Sequence, residues 1–317
     1  MRASPFVVCA GLFGLAFLIS LAVGSENLFS LGLSETAERI LLQLRLPGAA
    51  LVAIAGAALG GSGAAYQGLF RNPLADPFLI GVAPGAGLGA VIAMVSGFPV
   101  AFIPACALLG ALVTVATVYR LARVGKSAPV TTLLLSGIAV GSFTSALTSY
   151  LMLERQLEMR RVFNFLMGGF SLGGWEPVWA ALPYTAAGLA ILMAMGRPLN
   201  VLQFGDEQAS QLGLDVERAK LLLIVAASLA AASAVAFKGI IGFVGLIAPH
   251  LVRLLWGPDH RRLVPLSALA GAAGLLLADT AGRSVSALME LPVGIVTALV
   301  GAPFFLYLLR RVRQSYW

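Results

Sequence analysis

The chain has 317 residues, 59% of them hydrophobic and only 11% charged, with a mean hydropathy of +0.92. A disordered chain is excluded, and a soluble globular one needs roughly a quarter of its residues charged to cover its surface. The exterior therefore faces something apolar, and a lipid bilayer fits. The formal net charge of +7 could suggest nucleic acid, but the basic residues are scattered between apolar runs, with no block longer than Arg310, Arg311 and Arg313. Cys9 and Cys106 lie inside apolar runs, which lends no support to a disulfide framework or a metal site. The 36 Gly and 16 Pro also fall within such runs, where neighbouring helices tolerate them.

A helix rises about 1.5 Å per residue through a hydrocarbon core about 30 Å thick, so about 20 apolar residues mark one crossing. Ten runs qualify: 5–24, 46–66, 78–96, 100–119, 130–153, 177–195, 219–236, 240–256, 263–280 and 292–309. The first also resembles a secretory signal, with Arg2 ahead of the apolar centre and Ala22, Val23 and Gly24 before Ser25, although its length suffices for a full crossing. The eighth and ninth are short enough to be tilted, broken or partly buried. Residues 1–317 thus read as a single all-α transmembrane domain, with no soluble module and no repeat visible by eye.

Ten crossings put both termini on one side, and the bias of basic residues selects the cytoplasm. That side then holds 14 of the 21 basic residues with six acids, a net +8. The outer side keeps seven basic residues and eight acids, Glu26, Glu35, Glu38, Glu154, Glu158, Glu176, Asp279 and Glu290, a net −1.

Three polar stretches interrupt the apolar pattern. RNPLADP, from Arg71 to Pro77, carries two prolines and a charge pair, which favours a fixed turn, a plain helix connector being the alternative. FGDEQASQLGLD, from Phe204 to Asp215, reads as a short independent helix in which Asp206 can cap, Glu207 suits the positive first turn and Gly213 stops the helix. Such a helix serves as a docking knob, or lies on lipid headgroups. The stretch from Ser34 to Leu44 forms an outer amphipathic piece leading into Arg45.

Catalytic chemistry is thinly supplied. His250 and His260 lack a partner at the i+4 spacing of a helical metal site; His260 is expected to be solvated in a basic loop, and His250 to be a hydrogen-bonded structural residue. VGKSAP, ending at Pro129, resembles a phosphate loop, but the glycine required five residues before Gly125 is Arg120. Gly81, Gly85 and Gly89, like Gly56 with Gly60 and Gly137 with Gly141, recur every four residues and place small residues on one helix face for close packing. Energy must come from a gradient or a separate ATPase. No acid lies near the middle of a run, since Asp76, Asp279 and Glu290 are all at ends, and this disfavours a proton- or sodium-coupled carrier.

Six segments in order then resemble one family. They are LRLPGAALVAIAGAALGGSGAAYQGLFRNPLADPFLIGV at 44–82, LMGGF at 166–170, GDEQASQLGL at 205–214, GFVGLIAPHLVRLLWGPDHRRLVP at 242–265, LLLADTAGR at 275–283 and ELPVGIVTALVGAPFFLYLL at 290–309. The chain is similar to the membrane permeases of ATP-driven importers for ferric siderophores, haem and vitamin B12. The resemblance implies the type II importer permease fold, a transport subunit rather than an enzyme, and a homodimer with its path on the twofold axis. It also implies two cytoplasmic ATP-binding-cassette subunits that consume ATP and Mg, an extracytoplasmic substrate-binding protein, and a bacterial inner membrane, with no cofactor on this chain.

By the same resemblance, Gly205, Asp206, Glu207, Gln208, Leu212 and Gly213 couple to the ATPase. Arg45 and Arg283 dock acids of the binding protein, which an arginine's planar fork suits. Asn72, Leu74 and Thr131 form a cytoplasmic gate, a helix-end cap or packing contact being the alternative for each. The family often reads LRLPR, where this chain has Gly48, so one docking charge is missing. The expected cargo is a ferric siderophore or haem, with cobalamin close behind; the alternative is an ion-coupled secondary carrier working without an ATPase.

Overall fold

The computed structural model describes residues 4–23, 35–125, 127–154, 159–170, 172–285 and 291–315. Of the residues weighed above, Arg2, Gly24, Ser25, Glu26, Ser34, Lys126, Glu158 and Glu290 lie outside them. In chain order the helices are α1 (Pro5–Ala22), α2 (Glu35–Ile40), α3 (Leu46–Leu69), α4 (Val82–Val95), α5 (Ile103–Ala122), α6 (Val130–Glu154), α7 (Met159–Leu166), α8 (Glu176–Ala194), α9 (Gly196–Leu202), α10 (Asp206–Gln211), α11 (Val216–Lys238), α12 (Val244–Trp256), α13 (His260–Val285) and α14 (Val293–Ser315). Among the described residues the only β-type pairing is an isolated bridge between Val124 and Ser127.

Seven helices of the described residues are long and apolar enough to cross a membrane, and three more are shorter apolar helices at Val82–Val95, Val244–Trp256 and Val293–Tyr307. Together they correspond to the ten apolar runs. The lengths differ where the backbone breaks. α4 has 14 residues, about 21 Å of helix, because Pro77–Ile80 is a 3-10 turn that ends at Gly81 with φ 86°. Gly81 is therefore a turn residue, yet it still packs on α5 with Gly85 and Gly89, since an added Cβ would stand 2.8 Å from Thr114 Cγ2. α12 has 13 residues, since the chain ahead of it is non-helical up to Phe243 at φ 68°. α13, expected to be short, runs 26 residues because polar turns at both ends, His260 to Arg262 and the stretch around Arg283 and Ser284, fall outside a hydropathy run. The outer amphipathic piece is not separate either: α2 passes through a π-helical turn, Leu41–Arg45, directly into α3.

α3 sits at the centre, with 19 of its 24 residues buried. It packs against α13, α11, α12 and α8. In lipid there is no hydrophobic gain from pairing helices, so close backbone approach through small residues takes over. A Cβ added at Gly60 would stand 2.1 Å from the Ser267 carbonyl oxygen, and one at Gly56 2.4 Å from that of Gly271, so α3 and α13 touch backbone to backbone. The α4–α5 pair repeats the device at Gly89, 2.2 Å from the Cys106 carbonyl. Hydroxyls knit the core laterally: Tyr66 Oη lies 2.7 Å from Ser228 Oγ on α11, and Ser233 Oγ donates to the Ala181 carbonyl of α8 at 3.1 Å.

Gly60→Val should prevent native packing, at a cost upward of about 3 kcal/mol, because backbone rather than a yielding side chain opposes the new atoms. It should appear as loss of the monodisperse peak in detergent gel filtration. Gly48→Ala, where an added Cβ meets nothing within 4 Å, should keep that peak.

Candidate functional site

Three groups of side chains gather at the positions marked by the sequence. The first surrounds α10. Gly205 at φ 101° and Gly213 at φ 85° bracket the helix in backbone conformations that a side chain rarely adopts, so its length is fixed by glycine at each end. Ala209 is its buried residue. Glu207, Gln208 and Leu212 are exposed, as is Phe204 just ahead of the helix, and Leu212 presents 67% of its surface. The result is a short projecting helix with an apolar residue at each flank and acid and amide between.

Asp206 does not cap the helix. Gly205 holds the cap position, and the Asp206 carboxylate turns back to Lys220 Nζ at 2.5 Å and Arg71 Nη2 at 4.0 Å. The reason is electrostatic: Lys220 is buried, and a buried ammonium draws in any carboxylate that can reach it. Lys220 also meets Glu217 Oε1 at 3.5 Å, and the other oxygen of Glu217 accepts the Ala128 N–H at 3.0 Å. Sequence reading missed Lys220 and Glu217, although their i,i+3 spacing at the start of an apolar helix was a usable signal.

The second group lies where RNPLADP joins α3 to α4. Asn72 Oδ1 accepts the Leu74 N–H at 2.9 Å and Asp76 Oδ1 the Phe78 N–H at 2.9 Å, so the two side chains fold the connector into fixed turns. Asn72 is exposed and Leu74 half-buried. Thr131 is exposed in the first turn of α6, and among the described residues no hydrogen bond joins it to Asn72 or Leu74. The hydroxyl that fixes that turn is the neighbouring Thr132, which donates to the Ala122 and Pro129 carbonyls, each at 2.8 Å. The phosphate-loop lookalike closes on itself, with the Val124 N–H 2.9 Å from the Ser127 carbonyl.

Between this connector, α4 and α6 opens a cavity of about 650 Å³. Asp76, Gly87, Ser142, Ser145 and Ser149 are among its lining residues, beside the larger apolar side chains of Phe78, Ile138, Met152 and Leu166. The lining is mainly apolar with a line of hydroxyls, and among the described residues Asp76 is its one titratable group.

The third group lies at the opposite end of α11, about 27 Å from Lys220 along the helix axis. Asp279 bridges Lys238 Nζ at 3.3 Å and Arg283 Nε at 2.9 Å. Arg283 Nη2 also donates to Ser20 Oγ at 2.9 Å, while Arg45 Nη1 donates to the Leu21 carbonyl at 3.0 Å. The two arginines, 238 positions apart in sequence, therefore converge on the last turn of α1. At Gly48, on the same side, there is open space for a side chain.

Both histidines depart from expectation. His260 is 2% exposed, and its Nδ1 lies 2.9 Å from Asn200 Oδ1, which also accepts the His260 backbone N–H at 2.9 Å. The α9–α13 contact encloses it. His250 has both ring nitrogens buried without a hydrogen-bond partner among the described residues, and packs its ring edge-on against Phe304, 6.0 Å between centroids.

Two expectations follow. Asp279→Ala leaves the Lys238 ammonium, 12% exposed, without its carboxylate, and should destabilise the folded protein by about 3 kcal/mol in a detergent melt. Burial pushes the Asp76 carboxyl up to about 6 against the pull of the Phe78 N–H. The folded state thus keeps a proton that the unfolded chain releases near pH 4, and this contribution fades as pH rises toward about 6. Asp76→Asn should gain melting temperature over the unaltered protein across that interval and hold the gain above it.

Residues 6–311 match the FecCD transport family. The chain is 50% identical over 280 residues to the cobalamin import system permease protein BtuC of Halobacterium salinarum, covering 88% of this chain and 75% of that protein. It is 38% identical over 324 residues to the hemin transport system permease protein HmuU of Yersinia pestis, covering 96% of each. Among solved structures, a metal-chelate type ABC transporter in an inward-facing conformation superposes with a TM-score of 0.87 at 31% identity, over 96% of this chain and 98% of that one. With the segments at 44–82, 205–214 and 242–265 in the family's order and the helices folded as in that transporter, the chain belongs to the FecCD transport family and is a multi-pass membrane transport subunit of an ABC importer.

Proposed function

We propose that two copies of this chain form the membrane path of an ATP-driven importer for a bulky metal chelate, with the α10 end and both termini in the cytoplasm of a bacterial cell and the membrane being its inner one. The carrying observation is the cavity between α4 and α6, whose largely apolar wall is interrupted by glycines and by the hydroxyls of Ser142, Ser145, Thr148 and Ser149. A second copy facing it across a twofold axis would enclose a wide channel of low chemical identity, which suits a large ligand selected elsewhere.

In this reading an extracytoplasmic binding protein selects the cargo and docks acids on Arg45 and Arg283. Gly48 removes one cation from that surface, so the partner's acidic patch is reduced to match. Two ATP-binding-cassette subunits, which use ATP and Mg, receive Gly205, Asp206, Glu207, Gln208, Leu212 and Gly213 in a groove; the outward residues Glu207, Gln208 and Leu212 supply the contact. Asn72, Leu74 and Thr131 serve as a cytoplasmic gate only if α6 and the connector approach each other during the cycle. Cobalamin now precedes haem and ferric siderophores as the cargo, because the relative named for cobalamin stands at 50% identity and the one named for hemin at 38%.

The test is uptake in proteoliposomes containing this chain, its cognate ATPase and its binding protein, with labelled cobalamin, haem and the ferric siderophore ferrichrome offered in parallel. ATP should stimulate accumulation of one of them, cobalamin first. Changing Asp206 and Glu207 together to Lys should lower the rate by roughly a hundredfold, since both the tether and the docking acid reverse sign. Accumulation driven by an ion gradient without ATP would overturn the importer reading.

A further inference from the structure

Lys220 is the only fully buried lysine or arginine among the described residues. It lies in the second turn of α11, and the cost of desolvating its ammonium is met by Asp206 and Glu217. These two carboxylates lead in different directions. Asp206 belongs to α10, a six-residue helix whose one buried side chain is Ala209, and the ion pair ties that helix to the buried ammonium. Glu217 leads to the backbone N–H of Ala128, two residues before α6 begins. The segment between α5 and α6 cannot absorb a pull on Ala128, because the Val124–Ser127 bridge closes it and Thr132 ties it to the Ala122 carbonyl. α6 in turn carries Ser142, Ser145 and Ser149 into the cavity wall.

We propose that Lys220 is a positioning residue that converts displacement of α10 into displacement of the first turn of α6, through Asp206, Lys220, Glu217 and Ala128 in series. The idea rests on the importer reading, since without a docked ATPase nothing displaces α10. Direction and distance are both transmitted, because each link is a charged or backbone hydrogen bond of 2.5–3.5 Å and not a sliding apolar contact. An apolar residue of similar length would fill the space but leave two carboxylates facing it, and α10 would then move without α6.

The experiment measures cargo imported per ATP hydrolysed, in proteoliposomes of the full complex supplied with cobalamin, haem and ferrichrome in parallel. Lys220→Met and Glu217→Ala should each lower that ratio roughly tenfold or more, while Lys220→Arg restores it to within about threefold. A purely structural role would reduce the amount of assembled complex and lower both activities together, leaving the ratio intact. An unchanged ratio in Lys220→Met and Glu217→Ala, with the unaltered complex active, overturns this inference and leaves the importer reading standing. An unaltered complex that neither hydrolyses ATP nor imports any of the three overturns both. Should Lys220→Met fail to assemble, Glu217→Ala decides alone, since the Glu217 side chain is one-third exposed and its loss spares the pair of Lys220 with Asp206.

Discussion

Helices surrounded by lipid tails gain little by hiding apolar surface from a solvent that is itself apolar, so their association depends on how closely their backbones can meet. In this protein that constraint falls on α3. Its glycines at 56, 60 and 63 bring it against backbone carbonyls of α13 and α12, and Tyr66 ties it to α11 through a hydroxyl contact. The rest of the molecule is arranged around this centre: α4 and α5 repeat the same close contact at one side, while α6 packs against them and leaves the cavity between itself and α4. A bulky residue in place of those glycines would move the cavity wall as well as the core.

Charge has been sorted with equal economy. Ion pairs within the helical bundle sit near the two ends of α11, where water or headgroups reach their outer edges, and the stretch between them carries alanine, serine and aliphatic residues up to Phe237. Each end is tied to a surface feature. Lys220 is bound to the projecting helix α10, and Lys238 through Asp279 to Arg283 beside the end of α1. A membrane protein that must respond to partners on both sides needs stiff connections between each surface and its core, and hydrogen-bonded charges are stiffer than grease.

The apolar runs were readable because hydropathy integrates over some 20 residues, and the six family segments fixed their order. The shortness of the eighth run pointed to a break, but the position of a break was not legible: Phe243 and Gly81 leave the helical region of the backbone, and nothing in an apolar string marks such a position. α10 was legible as a polar island closed by Gly213, but Asp206 was misread as a cap because capping is a local property and Lys220 is 14 residues away. His260 looked like a loop residue beside Asp259, Arg261 and Arg262; its burial depends on Asn200, 60 residues earlier. Local chemistry reads from local sequence, whereas the partner of a buried charge is decided by the packing of helices distant in the chain. The convergence of Arg45 and Arg283 on α1 belongs to the same class of fact.

The surface of α11 itself has a mechanical meaning. Its buried face, from Ala226 to Ala236, is almost wholly alanine and serine. Side chains that stop at Cβ or Oγ make low ridges and shallow grooves, so neighbouring helices do not interlock with it as leucine knobs lock into holes. Axial travel of α11 by the 1–2 Å typical of shear motions is then opposed midway by hydrogen bonds to Tyr66 and Ala181 and not by interlocked side chains. α11 is thus a smooth rod, gripped by charge at its tips and pinned midway by the hydroxyl bonds at Ser228 and Ser233.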